Sequence, residues 1–258
     1  MADASITWIG HASALIEMGG QGVLVDPLGR RRTRALEGRY QAVLVTHAHV
    51  DHLNRWTLKR LDRSAHLLVP RGASRLVADL GFARVTEVEP GDQLAVGGLD
   101  IVGVPTIHDP GRWRKGDRYG CTGYLVARGG ITVHHAGDVD MSTYDVFEDI
   151  GRRYPIDATL LPIGGLLPVW YYRMRRLALD RGVHIDPDTA LHIAERLGAR
   201  HLVPVHWGTV NLRLGPPGAP RRRLLEVANG RGAELVRVLR HGESLPLPTR
   251  PSGSESPR

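Results

Sequence analysis

Ala42-Val43-Leu44-Val45-Thr46-His47-Ala48-His49-Val50-Asp51-His52 is the stretch on which the fold turns. Four consecutive aliphatic residues predict a short buried strand. The chain then leaves that strand through three histidines and one aspartate within seven residues. A strand end is a rigid place from which to aim side chains. His47 and His49 stand two apart and can converge on one ion, while Asp51 and His52 come from the next turn and can reach a second. Imidazole suits zinc and similar borderline metals, and a carboxylate adds charge compensation.

Two ions need more ligands than these four. His108 follows a predicted strand at Ile101–Val104, Asp138 follows one at Ile131–His134, and His206 follows one at His201–Val205. All three stand just beyond strand ends, where a sheet gathers a site. Singly, each reads equally well as a structural residue held by a local hydrogen bond; beside the first motif they become ligand candidates.

Further strands are predicted at Ile6–Ile9, Ala14–Glu17, Val23–Val25, His66–Val69, Gly123–Val126, Ala158–Pro162 and Leu235–Leu239, and helices at Leu53–Leu61, Ala73–Leu80, Asp186–Leu197 and Pro220–Ala228. Asp186 is an N-cap candidate with Pro187 at N1, and Gly198 supplies the stop. Gly19-Gly20 and Gly97-Gly98 suggest hairpins, hence early antiparallel pairing. The order predicts two sheets packed face to face with helices outside. Residues 1–244 are expected to form one domain, and the Pro- and Ser-rich tail 245–258 to be disordered.

With 258 residues, 42% of them hydrophobic, the chain can bury a large core. It has no apolar run long enough for a transmembrane helix, and no basic-then-apolar leader opens it, so a cytoplasmic location is the expectation. The single cysteine, Cys121, excludes an internal disulfide and a CxxC metal site. The net charge of +7 rests almost wholly on arginine, since Lys59 and Lys115 are the only lysines. It reads equally as a sign of an acidic partner or as compositional bias alongside 31 Gly and 17 Pro. No specific nucleic-acid motif is present, and nothing in the sequence fixes the oligomeric state.

The sequence resembles the metallo-β-lactamase superfamily from about Ile6 to about Leu212, and within it the branch of N-acyl-phosphatidylethanolamine-hydrolysing phospholipase D and L-ascorbate-6-phosphate lactonase. The resemblance rests on Trp8-Ile9-Gly10-His11-Ala12-Ser13, Val25-Asp26-Pro27, the HxHxDH run, Ala136-Gly137-Asp138, Leu161-Pro162-Ile163-Gly164, His184-Ile185-Asp186-Pro187 and His206-Trp207-Gly208-Thr209. It implies an α/β fold in a four-layer αββα sandwich. It also implies one ion on His47, His49 and His108, a second on Asp51, His52 and His206, and Asp138 bridging the two. His184 matches a histidine close to the metals, and is expected to protonate a leaving group or hold substrate; support of the Asp186 helix is the plainer alternative. The two ions are expected to be Zn2+, with Mn2+ or Fe as alternatives. Val139 departs from the threonine usual after the bridging aspartate. His108-Asp109-Pro110-Gly111 lacks the Gly-His-Thr-Pro-Gly arrangement of lactamases and glyoxalase II-like enzymes, which argues against those activities.

The expected chemistry is hydrolysis by a shared, activated water, with Asp51, Asp138 and His184 as the catalytic side chains. His11, Asp26 and His135 read as supporting residues, with Asp26 orienting the first metal motif. Three basic or aromatic clusters are candidate substrate walls: Arg30-Arg31-Arg32 with Arg34; Arg112 to Lys115; and Trp170 to Arg176, a candidate lid. Arg112, Trp170 and Arg173 are their named substrate residues, reading equally as solvated faces or a subunit contact. The expected substrate is a small or lipid-like molecule carrying a phosphodiester or other phosphate, with peripheral membrane contact as a further expectation. A lactone or ester substrate is the runner-up, and a non-catalytic metal- or nucleic-acid-binding protein the third reading.

Overall fold

The computed structural model describes residues 4–108, 119–140, 144–164, 184–209, 216–230 and 232–248. The quoted stretch opens on one strand of a seven-stranded mixed sheet. Its members are β1 (Ala4–Gly10), β2 (Ser13–Met18), β3 (Gln21–Val25), β4 (Ala42–Leu44), β5 (His66–Pro70), β6 (Arg84–Val88) and, from late in the chain, β13 (Ser244–Leu247). They lie in the order β13-β1-β2-β3-β4-β5-β6, antiparallel as far as β3 and parallel beyond it. A second sheet, in the order β12-β11-β10-β9-β8-β7, is built from β7 (Gln93–Val96), β8 (Leu99–Val104), β9 (Gly123–Arg128), β10 (Ile131–His135), β11 (Ala158–Pro162) and β12 (His201–Val205). The hairpin turns Gly19-Gly20 and Gly97-Gly98 take left-handed φ at both residues (55° and 76°, 58° and 75°), which suits the strand twist and favours glycine.

Side-chain alternation builds the layers. Ile6, Trp8, Ala14, Ile16, Val23, Val25 and Leu44 of the first sheet meet Leu99, Ile101, Tyr124, Val126, Val133, Leu160 and Val203 of the second in one buried core. The intervening residues Ile9, Leu15, Leu24, Val43 and Leu67 turn outward under Leu53, Leu58, Val77 and Leu80. That outer layer carries α1 (Arg30–Arg34) and α2 (Arg55–Leu58). On the far side lie α3 (Asp145–Arg153), α4 (Pro187–Arg196) and α5 (Ala219–Asn229), which press Phe147, Ile150, Leu191, Ile193 and Leu224 onto the second sheet. The result is the expected αββα sandwich. In α4 the Asp186 side chain accepts from Thr189 N at 2.9 Å, with Pro187 in the first turn, so its start is the one expected.

Several expectations are corrected. The domain boundary set at 244 falls inside β13: Leu245, Pro246 and Leu247 pair with Ile6, Ser5 and Ala4. Proline is tolerated there because β13 is an edge strand. Residues 249–258 lie outside the described residues. The strand expected at Leu235–Leu239 is only a bridge from Val236 to Leu202. The helix expected over Ala73–Leu80 is two 3-10 turns, Ser74–Leu76 and Ala78–Leu80. Ala73, Val77 and Leu80 are buried at the 4- and 7-residue spacing of an α-helical face, which is the pattern that suggested a single helix. The helix expected over Leu53–Leu61 is confined to α2, where Asn54 caps Thr57 N. Among the described residues no helix is long and apolar enough to cross a membrane.

Candidate metal centre

Each expected ligand is carried on a segment that leaves a strand or follows close behind one, at one rim of the sandwich. His47, His49, Asp51 and His52 follow β4, His108 follows β8, Asp138 follows β10 and His206 follows β12. The structure brings these seven side chains together, with His184 just before α4 beside them.

Two groups share one carboxylate. In the first, His47 Nε2 and His49 Nδ1 are 3.0 Å apart and His108 Nε2 lies 3.2 Å from His49 Nδ1. Asp138 Oδ2 faces them, 3.5 Å from His47 Nε2 and 3.9 Å from His108 Nε2. In the second, the other oxygen of Asp138, Oδ1, lies 3.3 Å from His52 Nε2 and 3.4 Å from His206 Nε2. Asp51 Oδ2 closes that group, 3.6 Å from His206 Nε2 and 4.0 Å from His52 Nε2. His184 Nδ1 is 3.5 Å from Asp138 Oδ2, and its ring packs 4.6 Å from His206 and 5.6 Å from His108 between centroids.

These donors fit a pair of cations. Ligands about 2.0–2.1 Å from one tetrahedral zinc ion lie about 3.3–3.4 Å from one another, the middle of the observed range. Asp138 Oδ1, His52 Nε2 and His206 Nε2 are buried and have no hydrogen-bond partner among the described residues, a costly arrangement unless a cation takes the lone pairs. Asp26, Asp51 and Asp138 form ion pairs only with histidines among the described residues. The electrostatics agree. Burial opposes a charge on His52, but Asp138, Asp26 and Asp51 outweigh it and raise its pKa well above the ordinary value. Burial, then His52, drives His47 well below it, and burial, then His108, brings His49 down to about 4. Burial pushes the Asp51 carboxyl up, yet His52, His11 and His206 hold it below the usual carboxylate range.

A shell of hydrogen bonds fixes the rings. Asp26 Oδ2 accepts from His52 Nδ1 at 2.7 Å and from Thr46 Oγ1 at 2.6 Å, while Oδ1 accepts from Thr46 N at 2.8 Å. Asp26 thus ties Thr46 and His52 together, the contact that a carboxylate behind a candidate ligand would make. Gly137 sits at φ 68°, where a Cβ would come 2.7 Å from Thr46 Cβ, so only glycine lets the Asp138 loop close on Thr46. His135 Nε2 donates to Ala12 O at 2.8 Å, and its Nδ1 accepts from Gly137 N at 3.1 Å, making it a tie between loops. Asp140 was missed: His108 Nδ1 donates to its Oδ1 at 3.2 Å. The available signal was Asp138-Val139-Asp140, a second acid two residues after the first. Among the described residues three non-glycine residues have left-handed φ, namely His11 (54°), Asp26 (43°) and His206 (58°), and all three belong to this shell. Such strain clusters at functional sites.

Of the candidate substrate residues, Arg112, Trp170 and Arg173 lie outside the described residues, as do their clusters. Arg32, from the first cluster, turns its Nη1 to Ile9 O at 3.2 Å. The site opens on the side of Asp51 and His184, whose side chains are 24% and 14% exposed against 2% for Asp138.

A family model described as beta-lactamase superfamily domain matches residues 20–207. A metal-dependent hydrolase of Rubrobacter xylanophilus is 31% identical over 252 residues, covering 93% of this chain and 95% of that protein. An uncharacterized Mycobacterium tuberculosis protein is 30% identical over 249 residues, which is 87% of this chain, and the chain spans 64% of its length. The metallo hydrolase Igni18 of Ignicoccus hospitalis shares the fold at a TM-score of 0.71, with 23% identity and coverage of 94% and 97%. With the candidate-ligand segments and the sequence match running along the same chain, this protein belongs to the beta-lactamase superfamily.

Proposed function

We propose that this chain is a metal-dependent hydrolase that acts on a phosphodiester or another phosphate-bearing substrate, on the pattern of the phospholipase D branch it resembles. The observation that carries the hydrolase reading is the placement of Asp138, with one oxygen toward each of two histidine groups. When bound, two divalent ions supply Lewis acidity and lower the pKa of a shared water toward neutrality. Asp138 holds the two groups in register. Asp51, the more exposed carboxylate, faces the opening and orients the attacking water by accepting its hydrogen bond. His184 stands at the mouth, where its ring can give a proton to the departing oxygen. Imidazole and carboxylate donors without a thiolate suit zinc, with manganese and iron as the alternatives. The phosphate reading draws on the net charge of +7. A lipid-like substrate would bring the chain to a membrane surface.

The test compares metal-loaded protein on bis(p-nitrophenyl) phosphate and on a panel of lactones. Phosphodiester turnover is expected to dominate; lactone turnover alone contradicts the substrate class and leaves the hydrolase. In the same assay His184→Ala is expected to slow turnover about 10²–10⁴-fold, the range for a general acid, with metal content unchanged. A fall in metal content would instead make His184 a ligand.

A further inference from the structure

His11 lies on no ligand-bearing loop. It follows β1, in the two-residue turn before β2, and is 1% exposed. Its Nε2 is 3.0 Å from Asp51 Oδ2, and its Nδ1 is 3.0 Å from Thr209 Oγ1. Its backbone carbonyl accepts from His206 N at 3.0 Å and from Trp8 Nε1 at 2.8 Å. Its ring packs 3.9 Å from that of His206 between centroids. One residue of the first sheet thus holds Asp51 by its side chain and the His206–Thr209 loop by both side chain and backbone.

We propose that His11 is the positioning residue of the second ion group, setting Asp51 and His206 in their ligand geometry without itself taking a metal. The proposal rests on the two-ion reading of the site. By distance alone His11 qualifies as a fourth donor beside Asp51, His52 and His206. Proton bookkeeping decides otherwise. An ionised carboxylate has no proton to give, so the hydrogen of the His11–Asp51 contact is on Nε2. A nitrogen carrying a proton has no lone pair for a cation. The other nitrogen, Nδ1, is engaged with the Thr209 hydroxyl. Asp51 is thereby held at Oδ2 by a donor, as imidazole and carboxylate partners behind a metal ligand do. The left-handed backbone at His11, φ 54°, follows from the same demand: it turns the carbonyl toward His206 N while the ring reaches Asp51.

The experiment titrates metal-free wild type, His11→Ala, His11→Gln and Thr209→Val with Zn2+ against a chromophoric chelator. The same proteins are then saturated with Co2+ and their visible absorption recorded. Glutamine keeps an N–H donor that can reach Asp51, and the threonine variant leaves the His11 backbone untouched. The expected result for His11→Ala is a loss of about 10–100-fold in the affinity of one ion only. At saturation its Co2+ bands should match wild type, since no ligand has been removed. His11→Gln should recover most of the affinity, and Thr209→Val should show a smaller loss of the same sign. If His11→Ala fails to fold, the last two variants decide: near-wild-type binding in the first with weakening in the second supports the proposal, and the reverse overturns it. Unchanged affinity in His11→Ala overturns it. So does a Co2+ spectrum lacking one nitrogen donor with no recovery by glutamine, which would make His11 a ligand. Wild type that takes up no metal would instead sink the metal centre itself, and this proposal with it.

Discussion

Replacing Asp138 by asparagine is expected to lower turnover by about 10²–10³-fold or more, the scale seen when a fixed electrostatic element of an active site is lost. The reason is geometric. Oδ2 faces His47 and His108, and Oδ1 faces His52 and His206. Asparagine keeps the shape and one oxygen, but turns an NH2 toward one of the two groups. An amide nitrogen of that kind has no lone pair for a cation, so one group is left with a donor that repels it. Metal content should fall from two equivalents toward one, with the fold intact by circular dichroism. Full turnover with two ions still bound would show that Asp138 is not the shared ligand.

Asp26→Ala is expected to have the largest effect on stability. The carboxylate is fully buried and accepts hydrogen bonds from Thr46 N, Thr46 Oγ1 and His52 Nδ1. Truncation leaves those donors unsatisfied in the interior, a cost of about 3–5 kcal/mol in total. Urea denaturation of the metal-free protein reads that cost without any contribution from bound ions. Asp26→Asn separates packing from orientation. Its oxygen can still accept from Thr46 N, but its NH2 meets His52 Nδ1 and favours the tautomer with the proton on Nε2, the nitrogen aimed at Asp138. That variant should fold better than Asp26→Ala and yet bind one ion about 10–100-fold more weakly. If both variants bind two ions as wild type does, Asp26 has no part in orienting the centre.

The site was far more legible in the sequence than the periphery of the fold, and the reason is physical. A metal site would need particular donors at particular strand ends, so His47, His49, Asp51 and His52 stand out as candidates, and His108, Asp138 and His206, which the fold brings beside them, stand behind runs that read as buried strands. β1 to β5 and β8 to β12 were legible for a related reason: their apolar residues face a core on one side or both. β6 and β7 carry burial on few positions, as Arg84, Glu87, Gln93 and Ala95 are exposed, and their pattern is lost in polar sequence. β13 is hidden by Pro246, whose missing N–H matters little at a sheet edge. In α3 only Phe147 and Ile150 are buried, too few to mark a helix before its neighbours are known. Asp140 and the bonds of His11 were out of reach for another reason. A hydrogen bond between β8 and β10 loops, or between residues 11 and 51, leaves no periodicity along the chain, and only the folded backbone brings those atoms together.

Metal analysis of the purified, metal-replete chain by inductively coupled plasma mass spectrometry, before and after a strong chelator, bears most directly on the proposed dinuclear centre. The expected result is two divalent ions per chain, removed by the chelator together with hydrolysis of bis(p-nitrophenyl) phosphate and restored together by adding metal back. A chain that holds no ion when replete, or one that hydrolyses at full rate once both are gone, contradicts it.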